Sequence, residues 1–452
     1  GACRFGDVDG DGDLDLIVAD GYANGAASLL LYENDGMGVF TDVAGAFSGA
    51  ISGIDIDDIE VFDADRDFDL DVFANAHANG FGGYYLNDGS GAFEGQSFPP
   101  PQPGGTGFHY NAAVCDVDND GDLDMWIDNI GGGFTEQLLI NDGAGVFTDE
   151  TNGQVSGNMG ADDNGVACVD LDNDGDFDGV VLSLQTSERY LENDGSGNFS
   201  FVAGAFPAGS DSTLWGEFGD LDGDGRLDLV TGQGEFGDET NKVYTGTKGQ
   251  PADDRAPTII DVQDESWDVG SDPVVRFAVS DRAMSDEGPR LAAAFFRVTS
   301  PGNREEIAAT FVGGDLFRAQ LPTVPDGGYD YEACAEDRAG NMACSDPISV
   351  TEGGSADTGD SGGSDTAGDG PLDDTAGLDD DPDDGPDDGP DDGPDDGPDA
   401  GDDGPTGGSD STGDAGGADG DGEGCACRAR GTGNAGVWWL LFVVPLLRRR
   451  LR

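Results

Sequence analysis

Short apolar runs, each entered from a string of aspartates, set the rhythm of the first 250 residues. LDLIVAD after Asp13 and LDLVTG after Arg226 are apolar segments without helical periodicity, and they predict strands. A second run recurs downstream, in LLLYENDGMGVFTDV, YYLNDGSGAFEG, LLINDGAGVFTDE and RYLENDGSGNFSFV. Each is an apolar run, an Asn-Asp-Gly turn and an aromatic that packs on the return, which predicts a hairpin. One unit therefore supplies about four short strands. The fifth unit, ending near YTGTKG at 244–249, lacks a clear last hairpin.

The aspartates follow a stricter rule than the strands. Like charges this close repel, so a folded chain keeps them only if they are fully solvated or enclose a cation. A calcium loop needs oxygens at its first, third, fifth and ninth residues, a carbonyl at the seventh and Gly at the sixth. Asp7, Asp9, Asp11, Gly12, Asp13 and Asp15 match that pattern. So do Asp116, Asp118, Asp120, Gly121, Asp122 and Asp124, and again Asp170, Asp172, Asp174, Gly175, Asp176 and Asp178. The last complete copy is Asp220, Asp222, Asp224, Gly225, Arg226 and Asp228, where Arg226 offers its carbonyl. A further copy keeps Asp63, Asp65, Asp67 and Asp71 but has Phe68 in the glycine position. A side chain in the left-handed region costs about 1–2 kcal/mol, so this loop is expected to bind weakly or not at all.

The first aspartates fall at 7, 63, 116, 170 and 220, spaced by 56, 53, 54 and 50 residues. A period in that range marks a repeat architecture, with the blades of a β-propeller as the leading candidate. An EF-hand is disfavoured, because its twelfth position, which needs Glu, holds Val18, Ile127, Val181 and Thr231. The recurrence of DxDxDGxxDL followed by NDGxGxF resembles the FG-GAP/VCBS repeats of integrin-like β-propellers, over residues 1–250. The resemblance implies Ca2+ in the loop between the first two strands of each blade, and adhesion or ligand binding outside the cell. Family propellers commonly have seven blades, and about five units are visible here.

Residues 253–351 change character. Alternating stretches such as PVVRFAVSDRA and YDYEACAEDRAGNMACSDPISV predict a β-sandwich, and the DRAGN turn resembles bacterial immunoglobulin-like domains. Residues 352–424, centred on PDDGPDDGPDDGPDDGPDAG, have almost nothing apolar to bury and dense like charge, which predicts a disordered stalk. In residues 425–452 the apolar run Ala435–Leu447 falls short of the ~20 residues that span a bilayer. A short membrane anchor is the plainer expectation there. Cys425, Cys427, that run and the terminal arginines also resemble the MYXO-CTERM sorting tails of myxobacterial surface proteins. This implies processing by a sortase-like membrane peptidase and retention on the outer surface of a Gram-negative cell.

A net charge of −74 with only 20 Lys and Arg argues against nucleic acid as a partner. The chain opens inside a repeat without Met, which predicts a fragment or processed form with any export signal upstream. Among the seven cysteines, Cys334 and Cys344 flank a turn and are expected to pair. Cys3, Cys115 and Cys168, on inner strands, are expected as buried free thiols. His77 and His109 belong to no nucleophile–base arrangement and are expected on loops or the surface. Tyr84, Tyr85, Tyr110 and Trp215 could line a ligand face, with core packing the plainer expectation.

No catalytic motif calls for an enzyme. The pattern favours a non-enzymatic, calcium-binding surface protein with an extracellular protein or glycan as ligand and calcium in a structural role. At a dissociation constant near 10⁻⁴ M and about 1 mM calcium, each site would add about 1.4 kcal/mol. The alternatives are a surface polysaccharide hydrolase or lyase, with its carboxylates among the calcium ligands, and a passive coat component.

Overall fold

The apolar runs pair in sequence order, because each aspartate string and each Asn-Asp-Gly turn reverses the chain between them. The first sheet comprises Cys3–Gly6, Asp15–Ala19, Leu29–Asn34 and Phe40–Asp42. The second is built on Asp55–Phe62, Asp71–Ala78, Gly83–Asn87 and Phe93–Gly95, and the third on Ala112–Cys115, Asp124–Ile127, Gln137–Ile140 and Thr148–Asp149. Asp163–Val169, Asp178–Ser183, Arg189–Asn193 and Phe199–Val202 make the fourth. The fifth has three strands, Thr213–Gly219, Asp228–Gln233 and Lys242–Tyr244. Pairing along each of these chains of strands is antiparallel. This computed structural model describes residues 2–19, 29–49, 55–78, 83–99, 109–128, 135–184, 186–210, 212–234, 239–247, 249–285 and 288–350. The expected stalk at 352–424 and tail at 425–452 lie outside them. Among the described residues, no helix is long and apolar enough to cross a membrane.

The five sheets stand in a row, with the first strand of each beside the first strand of the next. Because strand side chains alternate between faces, each sheet can bury one face on either neighbour. Ile17 and Leu31 of the first sheet pack with Ile59 and Val72 of the second. Phe62 and Tyr84 then meet Met125 and Leu139 of the third. Trp126 and Leu138 meet Val181 and Leu191 of the fourth, and Val180 and Tyr190 meet Phe218 and Leu229 of the fifth. A fully buried side chain of this size contributes about 1.5–3 kcal/mol, so the row is held by the cores between its sheets. No closed ring of sheets is seen among the described residues. Two connecting segments, Phe47–Ser48 and Val155–Ser156, add a short parallel strand to the outer edges of the second and fourth sheets. Covering an edge in this way hides unpaired backbone groups.

Beyond residue 257 two antiparallel sheets enclose one core. The first has the order Thr258–Val262, Val274–Ser280, Leu316–Gln320, Thr310–Gly313, and the second runs Asn303–Ala308, Leu291–Ser300, Tyr329–Asp337, Met342–Cys344. Val275, Phe277 and Val279 of one sheet meet Phe296, Val298, Tyr331 and Ala333 of the other. This sheet pair lies in one compact unit with the five-sheet row.

Three sequence expectations change. Cys334 and Cys344 face each other across antiparallel strands and form a disulfide, as their flanking of one turn suggests. Cys115 and Cys168, however, are not free thiols: they are joined in a disulfide. They sit near the ends of the first strands of consecutive sheets, and those strands lie side by side. Cys3 is half-buried. His109 is buried rather than superficial, with Nδ1 at 2.5 Å from the Asp128 carbonyl oxygen, and burial holds its pKa down. His77 belongs to a strand rather than a loop.

Candidate metal centre

Each aspartate string joins the first and second strands of its sheet, and all five strings fold alike. The carboxylate of the first residue folds back on the sixth amide: Asp7 Oδ1 accepts from Gly12 N, Asp63 Oδ2 from Phe68 N, Asp116 Oδ2 from Gly121 N, Asp170 Oδ2 from Gly175 N and Asp220 Oδ2 from Gly225 N, at 2.9–3.1 Å. The sixth residue has positive φ in every loop, 105°, 66°, 90°, 105° and 81° in turn. Phe68 is thus held in the left-handed region and makes the same turn as the four glycines.

The ninth residue has a different task. Asp15, Asp71, Asp124, Asp178 and Asp228 are buried at the mouth of the second strand. One oxygen of each accepts the amide of the loop's second residue, as in Val117 N to Asp124 Oδ2 at 2.9 Å. The other accepts an amide from the end of the third strand or beyond, such as Asn141 N to Asp124 Oδ1 at 2.9 Å; Gly246 serves the fifth sheet. The ninth position therefore fastens the loop to the Asn-Asp-Gly turn, a role that its reading as a metal ligand alone did not include.

The asparagine of that turn joins one repeat to the one before it. Asn87 Nδ2 donates to Leu70 O in its own repeat and to Val8 O in the first, Asn141 to Leu123 O and Ala64 O, and Asn193 to Phe177 O and Val117 O, all at 2.7–3.2 Å. Gln250 Nε2 reaches Leu171 O at 3.4 Å in the equivalent place for the fifth. The recurring NDGxG segment predicts a turn, but nothing in its spacing reveals that its amide grips the loop of the preceding repeat.

The carboxylates converge. In each of four loops one oxygen from each of three aspartates lies within 4.8 Å of the others: Asp7, Asp9 and Asp15; Asp63, Asp65 and Asp71; Asp116, Asp118 and Asp124; Asp170, Asp172 and Asp178. The fifth-position residues Asp11, Asp120, Asp174 and Asp224 are exposed at the loop tips, and in the last loop Asp220 and Asp222 are exposed as well. Asp13, Asp122 and Asp176 extend toward the turn glycines Gly36, Gly143 and Gly195 of their own sheets. Arg226 takes that place in the fifth, where its guanidinium pairs with Asp224 at 2.9 Å.

Burial pushes these carboxyls upward in pKa, with the like charge of neighbouring aspartates adding to it. Asp15, Asp116 and Asp170 rise to about 6, Asp122 to about 7, and Asp71, Asp124 and Asp178 to about 8. Such a group is neutral or has a cation beside it. Asp13 Oδ1, Asp116 Oδ1, Asp118 Oδ1 and Asp122 Oδ1 are buried without any hydrogen-bond partner. Orphaned carboxylate oxygens in all-oxygen clusters are a donor set that suits a hard dication such as Ca2+.

Residues beyond the row also reach these loops, and no local pattern announces them. Arg318 Nη1 meets Asp7 Oδ2 at 2.6 Å and Gly10 O at 3.0 Å. Arg66 pairs with Asp261 at 2.8 Å, Arg255 Nε donates to Asn173 O at 2.8 Å, and Arg282 Nε donates to Asp170 O at 2.8 Å. Asp315 accepts the amide of Asp63. Of the candidate ligand aromatics, Tyr84 and Tyr85 are core residues, while half-buried Tyr110 and Trp215 line a groove with Asp57, Asn164 and Leu214.

Comparison with protein families identifies one of these units. Residues 178–231 match the FG-GAP-like repeat. The matched span runs from the second strand of the fourth sheet to the second strand of the fifth, and so contains the whole last loop. Among curated proteins, none matches the chain.

Proposed function

We propose that the chain is a non-enzymatic, calcium-stabilised surface protein. In this reading its five repeats are blades of an FG-GAP-type propeller, and its second sheet pair is an immunoglobulin-like domain. A stalk and sorted tail hold it on the outside of the cell. The single observation that carries the reading is the recurrence of carboxylates clustered on one another in four loops, with buried oxygens left unpaired in the first three. Calcium in those clusters is a folding component rather than a catalyst, because the ligands sit in tight turns that are tied into the sheets. Adhesion or capture of an extracellular protein or glycan follows from the FG-GAP likeness.

The test is thermal unfolding of the chain in millimolar calcium and in chelator, together with the number of ions bound. A rise in melting temperature with several ions bound supports the reading. An unchanged melting temperature with no ion bound overturns it, and leaves the aspartates as a solvated face.

A further inference from the structure

The second loop is the one that the sequence disfavours, and it differs from the others in what meets it. At the first loop the sheet pair places the Arg318 guanidinium 2.6 Å from Asp7. At the second it brings another carboxylate: Asp315 Oδ1 lies 3.3 Å from the Asp63 amide. Asp63 and Asp315 are only 6% and 2% exposed. Among the described residues no basic side chain lies within ion-pair distance of Asp63, Asp65, Asp71 or Asp315. Two neighbouring carboxylates buried without a counter-charge are costly.

An independent observation points to a ligand at this place. The Tyr84 hydroxyl belongs to a residue 1% exposed and has no hydrogen-bond partner. Asp71, Asp65 and Asp63 are the carboxylates that act on it most strongly. A Cβ built on Gly145 would lie 2.6 Å from Tyr84 Oη and 3.4 Å from Asp65 Cβ, so the two residues close on the same glycine, and Asp65 Oδ1 is likewise buried without a partner. The corresponding tyrosine of the fourth repeat, Tyr190, donates to Asp178 Oδ2 at 3.0 Å. Tyr84 lacks that bond, and a buried hydroxyl is seldom left unpaired. Water held on a cation would supply its partner.

We propose that the second loop is a divalent-cation site shared between the repeat row and the sheet pair. Asp63, Asp65 and Asp71 line it, Asp315 supplies the fourth carboxylate, and the Tyr84 hydroxyl faces a cation-bound water. Calcium is the cation class that fits an all-oxygen set of this kind. Phe68 does not prevent the site, since it already holds φ 66°. The proposal rests on the calcium reading of the other loops, and it adds that the ion fastens the two parts of the molecule together.

The experiment is a calcium titration of the full chain, stripped with chelator and dialysed, with bound ions counted and folding checked by circular dichroism. Asp315→Asn keeps an oxygen for the Asp63 amide, so it preserves that bond while removing the charge. Asp315→Ser is the second variant should Asn disturb the fold. Asp315→Asn and Asp65→Asn are each expected to bind one ion fewer than the wild-type chain, and the double variant to lose no more than either alone. If Asp65→Asn loses an ion and the Asp315 variants lose none, the site belongs to the loop alone and the shared site is overturned. If both keep the wild-type count, the second loop is not a site. A wild-type chain that binds no calcium would instead overturn the calcium reading of every loop.

Discussion

Within a single loop, the ninth aspartate and the fifth lead different lives. Asp124 is sealed from solvent and accepts two backbone amides, from Val117 and Asn141. Asp120, four residues earlier, is exposed and accepts the nearby Asp122 amide from within its own loop. Both fit the same calcium pattern, yet one is framework and the other is free to serve an ion. A metal motif in sequence thus merges two demands, for ligands and for a scaffold that holds them, and only the hydrogen bonds separate them.

The largest effect should come from the framework rank. Asp124→Ala leaves two buried amides without acceptors, at about 1–3 kcal/mol each. Chemical denaturation should show the loss in calcium and in chelator alike. Equal midpoints for variant and wild type would remove the distinction between the two ranks.

Next is pH. Asp71, Asp124 and Asp178 have pKa values near 8 in the folded chain, against about 3.9 when unfolded. The folded state therefore binds more protons than the unfolded one between those values, and stability without metal falls as pH rises through that window. Calcium binding requires the ionised form, so its stabilisation should grow over the same range. Melting curves at pH 5 and pH 8, with chelator and with calcium, should diverge at the higher pH; parallel shifts would mean that these carboxyls do not meet the ion.

Asn141→Ala should cost about 1–3 kcal/mol by freeing the Ala64 and Leu123 carbonyls, and it should loosen the second and third repeats together. Hydrogen exchange in both repeats measures this, and loss of protection in the third alone would contradict the link. The smallest effect belongs to the ligand rank. Asp174→Asn, at an exposed tip, should leave the chelated protein within about 0.5 kcal/mol of wild type while weakening calcium stabilisation. A titration in each condition separates the two effects.

Much of this was legible in the sequence, because the motif and its strands are local. Fixed offsets give five loops, the Asn-Asp-Gly runs give turns, and Cys334 with Cys344 spans one hairpin. What stayed hidden depends on neighbours far along the chain. Cys115 pairs with Cys168 only because consecutive sheets lie side by side, and Asn87 reaches Val8 for the same reason. Arg318 and Asp315 carry no pattern that ties them to residues 7 and 63. Phe68 shows the limit of a steric rule. The cost of a left-handed Phe is real, but the surrounding loop bonds, from Asp63 to Asp67 N and Phe68 N, hold it in place.

The asparagine links have a direction, and direction matters when a protein is pulled. Asn87, Asn141 and Asn193 each reach back to the loop of the preceding repeat, so tension entering at one repeat is handed to the one before it. The fifth loop has another clasp, the bond from Asp253 N to Gly225 O at 2.7 Å, placed where the chain leaves the row for the sheet pair. A tug on the sheet pair meets that clasp together with Arg282 at the fourth loop, Asp315 at the second and Arg318 at the first. A load shared in this way is resisted by several loops in parallel, as strands share the pull on a rope, and not by one knot.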